Sequence, residues 1–340
     1  MKSSYSPTSL AQRSLLHPKA TCCTKSDVFC AQFSKKGELV AGSLSDGSVM
    51  VFDSAGGSMV YKLPLPSFQD GYPATAVKFR SNDLGDISNV ALVAYSSGHV
   101  HQWHVPTGKS LNQSIEKRQT LAAAYSSDSS TYATSGSDCK LMIYDSLSGQ
   151  NINTLEASSS LTLMDGHMNR VFALRYHPTD PSLLVSGGWD NTVQFWDLRI
   201  DHAVRKLSGP HICGDSLDIE PHSLHIATGS WRYDTPLEIW DYGSGKLITQ
   251  LQSCTGTKLY ATCWINERHL LIGGSQKHTA AVIDVQNDKV VGDLKDLSAG
   301  VYSVHYNSVN KNVAIASGSK IHICSALFFQ NKTPPPFTTD

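Results

Sequence analysis

The stretch from Ser186 to Arg199 reads SGGWDNTVQFWDLR and contains two Trp-Asp pairs, one beginning at Trp189 and one at Trp196. Read with the residues that precede it from Asp165, the stretch predicts short strands separated by turn-forming residues. The predicted strands are Val171–Tyr176, Leu183–Ser186 and Thr192–Trp196. Trp196 therefore ends a strand, whereas Trp189 lies in the turn before that strand, and we expect the two tryptophans to have different roles.

The same arrangement recurs along the chain at intervals of about 40 to 52 residues. Each copy keeps an aromatic or large apolar residue at the end of a strand, although the Asp that follows it is replaced in some copies. The copies lie at Phe52-Asp53, Trp103-His104, Tyr144-Asp145, Trp196-Asp197, Trp240-Asp241, Ile283-Asp284 and Ile323-Cys324. A chain of 340 residues often forms two domains, but a repeat of this period predicts one closed fold.

These units resemble the repeats of the WD40 β-propeller family. The resemblance covers almost the whole chain and is most specific for residues 165–208. It implies an all-β fold, a seven-bladed WD40 β-propeller closed by an N-terminal strand at Ser14–Ala20. We expect one propeller over residues 1–330, with 1–24 as the N-terminal strap and closing strand, followed by a Pro-rich tail at 331–340.

The resemblance also implies a structural tetrad in the blade that contains the quoted stretch. Its members are His167, Ser186, Asp190 and Trp196. Asp190 is expected to accept hydrogen bonds from His167 and Ser186, and the Ser186 hydroxyl to accept the indole N–H of Trp196, so that every polar group is satisfied. No other blade keeps all four residues, and we expect those blades to rely more on packing.

Two positions in the repeat predict a binding surface on one face of the propeller. The first is the turn position of Trp189, which Trp231 occupies in the next unit. The second opens the first strand of each unit and is occupied by Phe29, Thr75, Leu121, Phe172, Asp215, Tyr260 and Tyr302. In WD40 scaffolds that bind peptides these positions line the binding surface, which makes Phe29, Phe172, Trp189, Asp215, Trp231, Tyr260 and Tyr302 candidate partner-binding residues.

Two alternatives remain open at these positions. The aromatic residues at the strand starts are equally consistent with plugging the channel or packing between blades. Asp215, beside Phe172 and Tyr260, suits a Lys or Arg side chain of a partner, but it is equally consistent with capping a loop.

The sequence Trp196-Asp197-Leu198-Arg199 resembles the WDxR element of propellers that dock on the adaptor of cullin-4 ubiquitin ligases. This predicts, as an alternative function, a substrate receptor in which Asp197 and Arg199 contact the adaptor. The motif occurs by chance in many propellers, and Arg199 is also suited to an ion pair between blades.

Composition and motifs exclude several other classes of function. Lys and Arg number 28 against 29 for Asp and Glu, which argues against a nucleic-acid or acidic-membrane partner. No catalytic motif is present, so we expect no enzyme activity. The histidines at positions 99, 101 and 104 do not share one strand face and predict no metal site, and no cofactor is expected. The expected partner is a protein or peptide.

The sequence contains no membrane-spanning run and no secretory signal, and its eight cysteines form no CxxC pair. We therefore expect an intracellular protein of the cytoplasm or nucleus, in which the sequons at Asn112 and Asn331 are not used. The basic, Ser-rich start of the chain is also compatible with an organelle transit peptide.

Overall fold

The computed structural model describes residues 15–64, 71–81, 89–158, 165–200, 202–275 and 280–326, and these form seven four-stranded antiparallel sheets. The sheets are the blades of a β-propeller, which confirms the predicted all-β, seven-bladed fold. The predicted Pro-rich tail at 331–340, Asn331 and the first part of the N-terminal strap lie outside the described residues. Residues 159–164, in the Ser-rich segment before the fourth blade, also lie outside them.

The blades follow one another along the chain, and each begins with its innermost strand. Blade 1 contains β2 (Val28–Phe33), β3 (Leu39–Leu44), β4 (Val49–Asp53) and β5 (Met59–Leu63). Blade 2 contains β6 (Ala74–Phe79), β7 (Val90–Tyr95), β8 (His99–His104) and β9 (Lys109–Ile115), with a 3-10 turn at Val105–Thr107. Blade 3 contains β10 (Thr120–Tyr125), β11 (Thr131–Gly136), β12 (Leu141–Asp145) and β13 (Asn151–Leu155).

The quoted stretch lies in the fourth blade. Blade 4 contains β14 (Val171–Tyr176), β15 (Leu183–Gly188), β16 (Thr192–Asp197) and β17 (Ala203–Ser208). Blade 5 contains β18 (Leu217–Ile219), β19 (His225–Gly229), β20 (Leu237–Asp241) and β21 (Leu247–Leu251). Blade 6 contains β22 (Leu259–Trp264), β23 (His269–Gly274), β24 (Ala280–Asp284) and β25 (Lys289–Leu294). Blade 7 contains β26 (Val301–Asn307), β27 (Asn312–Ser317), β28 (Lys320–Ala326) and β1 (Leu16–Cys23).

The ring is closed by β1, which supplies the fourth strand of blade 7. It pairs antiparallel with β28, from Leu16 opposite Ala326 to Cys23 opposite Lys320. Leu16 and Cys22 are buried, whereas most of the residues between them are exposed, as expected for an outermost strand. The closing strand thus lies slightly later in the chain than the predicted Ser14–Ala20. It covers the edge that β28 would otherwise expose.

The core of the molecule is divided among the contacts between neighbouring blades. Seven clusters of buried apolar residues each combine side chains of two adjacent blades. The cluster of blades 7 and 1, for example, packs Ile321 and Ile323 against Phe33 and Phe52. A single blade cannot bury both of its faces, so stacking around a ring provides the hydrophobic stabilisation of the fold.

A β-bulge near the start of the innermost strand recurs in six blades. In blade 4 the pairing of β14 with β15 shifts between Val171 and Ala173, so that Phe172 is the extra residue. The same shift occurs at Phe29, Thr75, Leu121, Tyr260 and Tyr302. A bulge re-aims a side chain relative to the regular alternation of a strand, and here it acts on the first-strand position that the sequence singled out.

Candidate functional site

All seven residues of the first-strand position line one cavity at the mouth of the central channel. This upper cavity has a volume of about 310 Å³ and is lined mostly by apolar and aromatic side chains. The residues of the position are Phe29, Thr75, Leu121, Phe172, Asp215, Tyr260 and Tyr302. Blade 5 differs from the others because β18 begins only at Leu217, so Asp215 reaches the cavity from the bend before the strand.

The aromatic residues form a wall along one side of the upper cavity. The ring centroids of Phe29 and Tyr302 are 6.0 Å apart in an edge-to-face arrangement, and those of Tyr302 and Tyr260 are 5.2 Å apart. On the blade 4 side, Phe172 packs against Trp189 with a centroid distance of 5.0 Å. The rings are partly exposed and do not fill the channel, so the structure leaves an apolar hollow between them.

Trp189 lies at the rim of this cavity and is held by several contacts. Its side chain is 38% exposed, and its indole N–H donates to Cys213 Sγ at 2.8 Å. His211 stacks on the indole with a centroid distance of 6.3 Å, and the Arg170 guanidinium lies 5.8 Å from the ring centroid. Burial raises the pKa of the Cys213 thiol to about 11, which keeps it protonated at neutral pH. Trp189 is therefore a fixed part of the rim.

Trp231 is equally exposed, but it does not pack directly beside Trp189. The ammonium of Lys258 lies 3.6 Å from the ring centroid of Trp231 and 4.8 Å from that of Tyr233. The segment around His211 contacts both tryptophans, because the His211 ring stacks on Trp189 and its backbone carbonyl accepts the amide N–H of Trp231. The two indoles thus flank this segment instead of forming one continuous surface.

Asp215 does not present a free carboxylate, which speaks against the predicted role of receiving a basic side chain of a partner. Its two oxygens accept hydrogen bonds from Arg175 and Lys78 of the chain itself, each at 2.6 Å. Burial raises the pKa of Asp215, but the charges of Arg175 and Lys78 outweigh burial and lower it well below its ordinary value. The two cations already compensate the charge that a partner would have used.

A second ring of residues, which was not predicted from the sequence, lies three positions further along the chain in each blade. Its members are Gln32, Lys78, Ala124, Arg175, Asp218, Cys263 and His305. All of them line a polar lower cavity of about 350 Å³. Because the bulge adds one residue, positions three apart point into the channel on the same side. The signal was present as charged residues inside otherwise apolar strands.

The ion pairs of this second ring separate the two cavities. Arg175 donates to Asp215 and, at 3.1 Å, to Asp218, while Lys78 lines both cavities. Burial, with the nearby charges of Lys78 and Arg175, lowers the pKa of His305 to about 3, so this histidine is neutral. The upper cavity therefore ends on a charged floor.

The tetrad of blade 4 is a chain of hydrogen bonds. His167 Nδ1 donates to Asp190 at 2.8 Å, the Ser186 hydroxyl donates to His167 Nε2 at 2.6 Å, and Trp196 Nε1 donates to the Ser186 oxygen at 2.7 Å. His167 thus lies between Asp190 and Ser186. The predicted direct hydrogen bond from Ser186 to Asp190 is not formed. Trp196 is 1% exposed, in contrast to Trp189.

Blade 3 replaces the tetrad with a charged network, and blades 5 and 6 contain ion pairs, so these three blades do not rely on packing alone. In blade 3 the buried carboxylate of Glu116 accepts hydrogen bonds from Arg118, Thr120, Thr134 and Tyr144. In blade 5 Arg232 pairs with Glu238 at 2.6 Å, and in blade 6 Arg268 pairs with Asp284 at 2.6 Å. The sequence signal in blade 3 is the Glu-x-Arg pair that precedes β10.

Asp197 and Arg199 lie at the opposite end of the strands from the upper cavity. The Arg199 guanidinium makes two hydrogen bonds to the Asp197 carboxylate, at 2.6 and 2.7 Å, and its side chain is 70% exposed. The alternative of an ion pair between blades is not realised, because Asp197 ends β16 and Arg199 lies in the turn that follows it. Asp197 is therefore occupied by its neighbour, and the guanidinium is accessible from solvent.

Within the described residues no three His, Cys, Asp or Glu side chains group in a way that could hold a metal ion. His99, His101 and Trp103 instead stack on one another along β8, with centroid distances of 6.4 and 5.4 Å. In the same part of the chain no helix is long and apolar enough to cross a membrane. All eight cysteines are described, and all are free.

The fold is a closed seven-bladed repeat propeller with two stacked cavities in its channel. The sequence matches the family described as WD domain, G-beta repeat, at residues 17–53 and 158–197. Two segments of the chain thus match WD40 repeats, one from the closing strand through blade 1 and one in blade 4.

Similar proteins include several that contain this repeat. The small ribosomal subunit protein RACK1y of Oryza sativa is 26% identical over 132 residues, which cover 38% of this chain and 38% of that protein. The ribosome biogenesis protein YTM1 of Phaeosphaeria nodorum is 30% identical over 130 residues, 37% of this chain and 25% of that protein. The coronin-like protein crn1 of Schizosaccharomyces pombe is 25% identical over 134 residues, 39% of this chain and 22% of that protein. The matches thus span less than half of each relative.

Proposed function

We propose that the chain is a non-catalytic scaffold that binds a peptide or protein segment by seating one apolar side chain of that segment in the upper cavity. The observation that carries the proposal is the convergence of one residue from each of the seven blades on a single, mostly apolar hollow. Burial of a Leu or Phe side chain contributes about 1.5–3 kcal/mol. A buried anchor of this kind, inside a ring of weaker contacts, is typical of a binding hot spot.

The rim residues supply the remaining contacts of this proposal. Trp189 and Trp231 are each 38% exposed, and each is held in place by neighbouring side chains. Because these rings are already ordered, a partner that packs on them loses little additional side-chain entropy. Phe29, Phe172, Tyr260 and Tyr302 are proposed to contact the anchor itself, whereas Asp215 is proposed only to hold the floor of the cavity.

A pair of Leu→Trp variants tests the proposal. Leu121→Trp adds bulk inside the upper cavity, and Leu247→Trp adds the same bulk on β21, where Leu247 is 41% exposed. We expect partners captured from cell extract by the wild type to be lost with Leu121→Trp and retained with Leu247→Trp. Thermal unfolding establishes that both variants are folded. Partners that remain bound to a folded Leu121→Trp protein would exclude the cavity as the binding site.

A second candidate function is that of a substrate receptor of a cullin-4 type ubiquitin ligase, through Asp197 and Arg199. The observation that favours it is the solvent-exposed guanidinium of Arg199, on the face opposite the upper cavity. Pull-down of the ligase adaptor should then be abolished by Arg199→Ala and unaffected by Leu121→Trp. Adaptor recovery that does not change with Arg199→Ala, or no recovery with the wild type, removes this candidate.

We also propose an intracellular location, which the free thiols of all eight cysteines support. Two of the relatives are named as a ribosomal subunit protein and a ribosome biogenesis protein, and a third as coronin-like. These names share no single partner. We therefore propose a scaffold role in protein assemblies and name no particular assembly.

A further inference from the structure

We infer that the segment bound at the upper cavity is acidic, with carboxylates placed beside its apolar anchor. This inference rests on the proposed function and adds the chemistry of the partner. It is carried by two cations of the rim, Arg170 and Lys258, which lie against exposed tryptophans and form no ion pair among the described residues.

Arg170 stands beside the cavity in blade 4. It lies two residues before Phe172 of the cavity wall, and its backbone carbonyl accepts the amide N–H of Trp189. The side chain is exposed, with the guanidinium 5.8 Å from the Trp189 ring centroid, and it forms no ion pair within the described residues. A guanidinium that is positioned by an aromatic ring and not neutralised can receive a carboxylate through two parallel hydrogen bonds.

Lys258 occupies the corresponding place in blade 6. It lies two residues before Tyr260 of the cavity wall, and its ammonium is held over the rings of Trp231 and Tyr233. It too forms no ion pair in the part of the chain that the structure describes. The aromatic pair therefore keeps a positive charge at the rim, where it attracts anions but would repel a basic segment.

The carboxylates of this end of the molecule do not cancel these charges. Asp190 is engaged by His167, Thr192 and the amide of Met168, and Asp215 by Lys78 and Arg175. Exposed carboxylates at this end include Asp234, in the turn that follows Trp231, and Asp27, Asp46 and Asp296 in the turns of blades 1 and 7. Within the described residues none of these four forms an ion pair with Arg170 or Lys258. The sector from blade 4 to blade 6 thus presents two cations that are unpaired among the described residues, around an apolar hollow. This arrangement complements an acidic segment with an apolar side chain.

Selection from a random peptide library displayed on phage tests the inference at physiological ionic strength, since higher salt would screen these exposed charges. The baits are the wild type, Leu121→Trp, the double variant Arg170→Glu/Lys258→Glu, and a control charge reversal, Lys289→Glu, on the exposed outer strand β25. With the wild type and with Lys289→Glu, we expect selected peptides to share an apolar residue flanked by Asp or Glu.

The double variant separates the two proposals. We expect it to select peptides that keep the apolar residue but lose the acidic flanks, and to bind the acidic wild-type peptides about tenfold or more weakly. Apolar peptides without acidic enrichment on the wild type would overturn the inference while leaving the proposed function intact. Peptides selected equally well by folded Leu121→Trp would overturn the proposed function itself. A random single-stranded RNA pool retained through Arg170 and Lys258, with no peptide enrichment, would overturn both.

Discussion

At the scale of single residues, burial and hydrogen bonding separate side chains that the repeat places close together. Trp196 is enclosed between blades 3 and 4, and its N–H is satisfied by Ser186. Trp189, in the turn between β15 and β16, keeps 38% of its surface exposed and donates a hydrogen bond to Cys213 outside its own blade. The first belongs to the core of the fold, and the second belongs to the rim of the upper cavity.

The two tryptophans should therefore differ in their effect on stability. Trp196→Ala removes a large buried side chain and a hydrogen-bond donor, and we expect a loss of about 3–5 kcal/mol in the free energy of unfolding. Trp189→Ala should cost about 1 kcal/mol and should weaken binding at the cavity. Urea unfolding of both variants measures the difference. Equal losses of stability would contradict this division of roles.

Asp215 yields a prediction about pH, because its carboxylate compensates two cations inside the channel. Its folded pKa lies below the ordinary value of 3.8, so its contribution is present above about pH 4 and is lost as the pH falls through the folded value. Asp215→Asn leaves Arg175 and Lys78 without that charge, and we expect it to destabilise the protein by about 3–5 kcal/mol at neutral pH.

The measurement for Asp215 is the free energy of unfolding between neutral and acidic pH. The difference in the free energy of unfolding between the wild type and Asp215→Asn should be constant at neutral pH and should shrink below about pH 4. Asp197→Asn, which breaks a pair with the exposed Arg199, serves as control and should cost at most about 1 kcal/mol. If this difference in the free energy of unfolding increases in acid, the Asp215 carboxylate does not stabilise the fold through the charges of Arg175 and Lys78.

At the scale of the elements, the bulge in the innermost strand explains both what could be predicted and what could not. The first-strand position was found because its residues share one place in each repeat, and that place does not depend on the bulge. The second ring was missed because regular alternation would put Lys78 and Thr75 on opposite faces of a strand. Its pairing could not be predicted either, because Lys78 and Asp215 meet across the channel from distant repeats.

The charged networks of the blades are a second example at this scale. The tetrad in blade 4 could be assigned from its family pattern, although the position of His167 within the chain of hydrogen bonds could not. The substitute in blade 3 follows no repeat pattern, since Glu116 takes the place of a histidine and Tyr144 that of a tryptophan. Comparing the repeats with one another shows which tetrad residues a blade lacks. It does not show which side chains form hydrogen bonds in their place.

The blade 3 network should be essential for the stability of its blade. Glu116→Ala leaves Arg118 buried with one of its carboxylates removed, and we expect a loss of about 3–5 kcal/mol. Glu156 pairs with Lys140 in the same blade, but both side chains are about half exposed, so Glu156→Ala should cost at most about 1 kcal/mol. Thermal and urea unfolding compare the two variants. Similar costs would mean that the buried network is no stronger than a surface pair.

At the scale of the whole molecule, the ring depends on a strand from one end of the chain and on three strands from the other. Leu16 of β1 packs in the cluster between blades 6 and 7, and Cys22 packs in the cluster between blades 7 and 1. The closing strand therefore ties together both sides of its blade. The upper cavity needs this closure, because Phe29 and Tyr302 meet across the contact between blade 1 and blade 7.

Adjacent cysteines of the closing strand provide a matched test of this closure. Cys22 is fully buried and Cys23 is exposed. Cys22→Asp places a charge inside the contact between blades, and we expect a severe loss of melting temperature or of soluble protein. Cys23→Asp, one residue away, should behave like the wild type. The same melting temperature in both variants would argue that β1 does not seal the ring.

The most direct test of the central claim is a crystal structure of the chain bound to a peptide selected on the wild type. We predict an apolar side chain of the peptide in the upper cavity, in contact with Phe172, Tyr260 and Tyr302, and acidic residues of the peptide beside Arg170 and Lys258. A peptide bound along an outer strand or at the face of Arg199, with the upper cavity left open, would contradict the account.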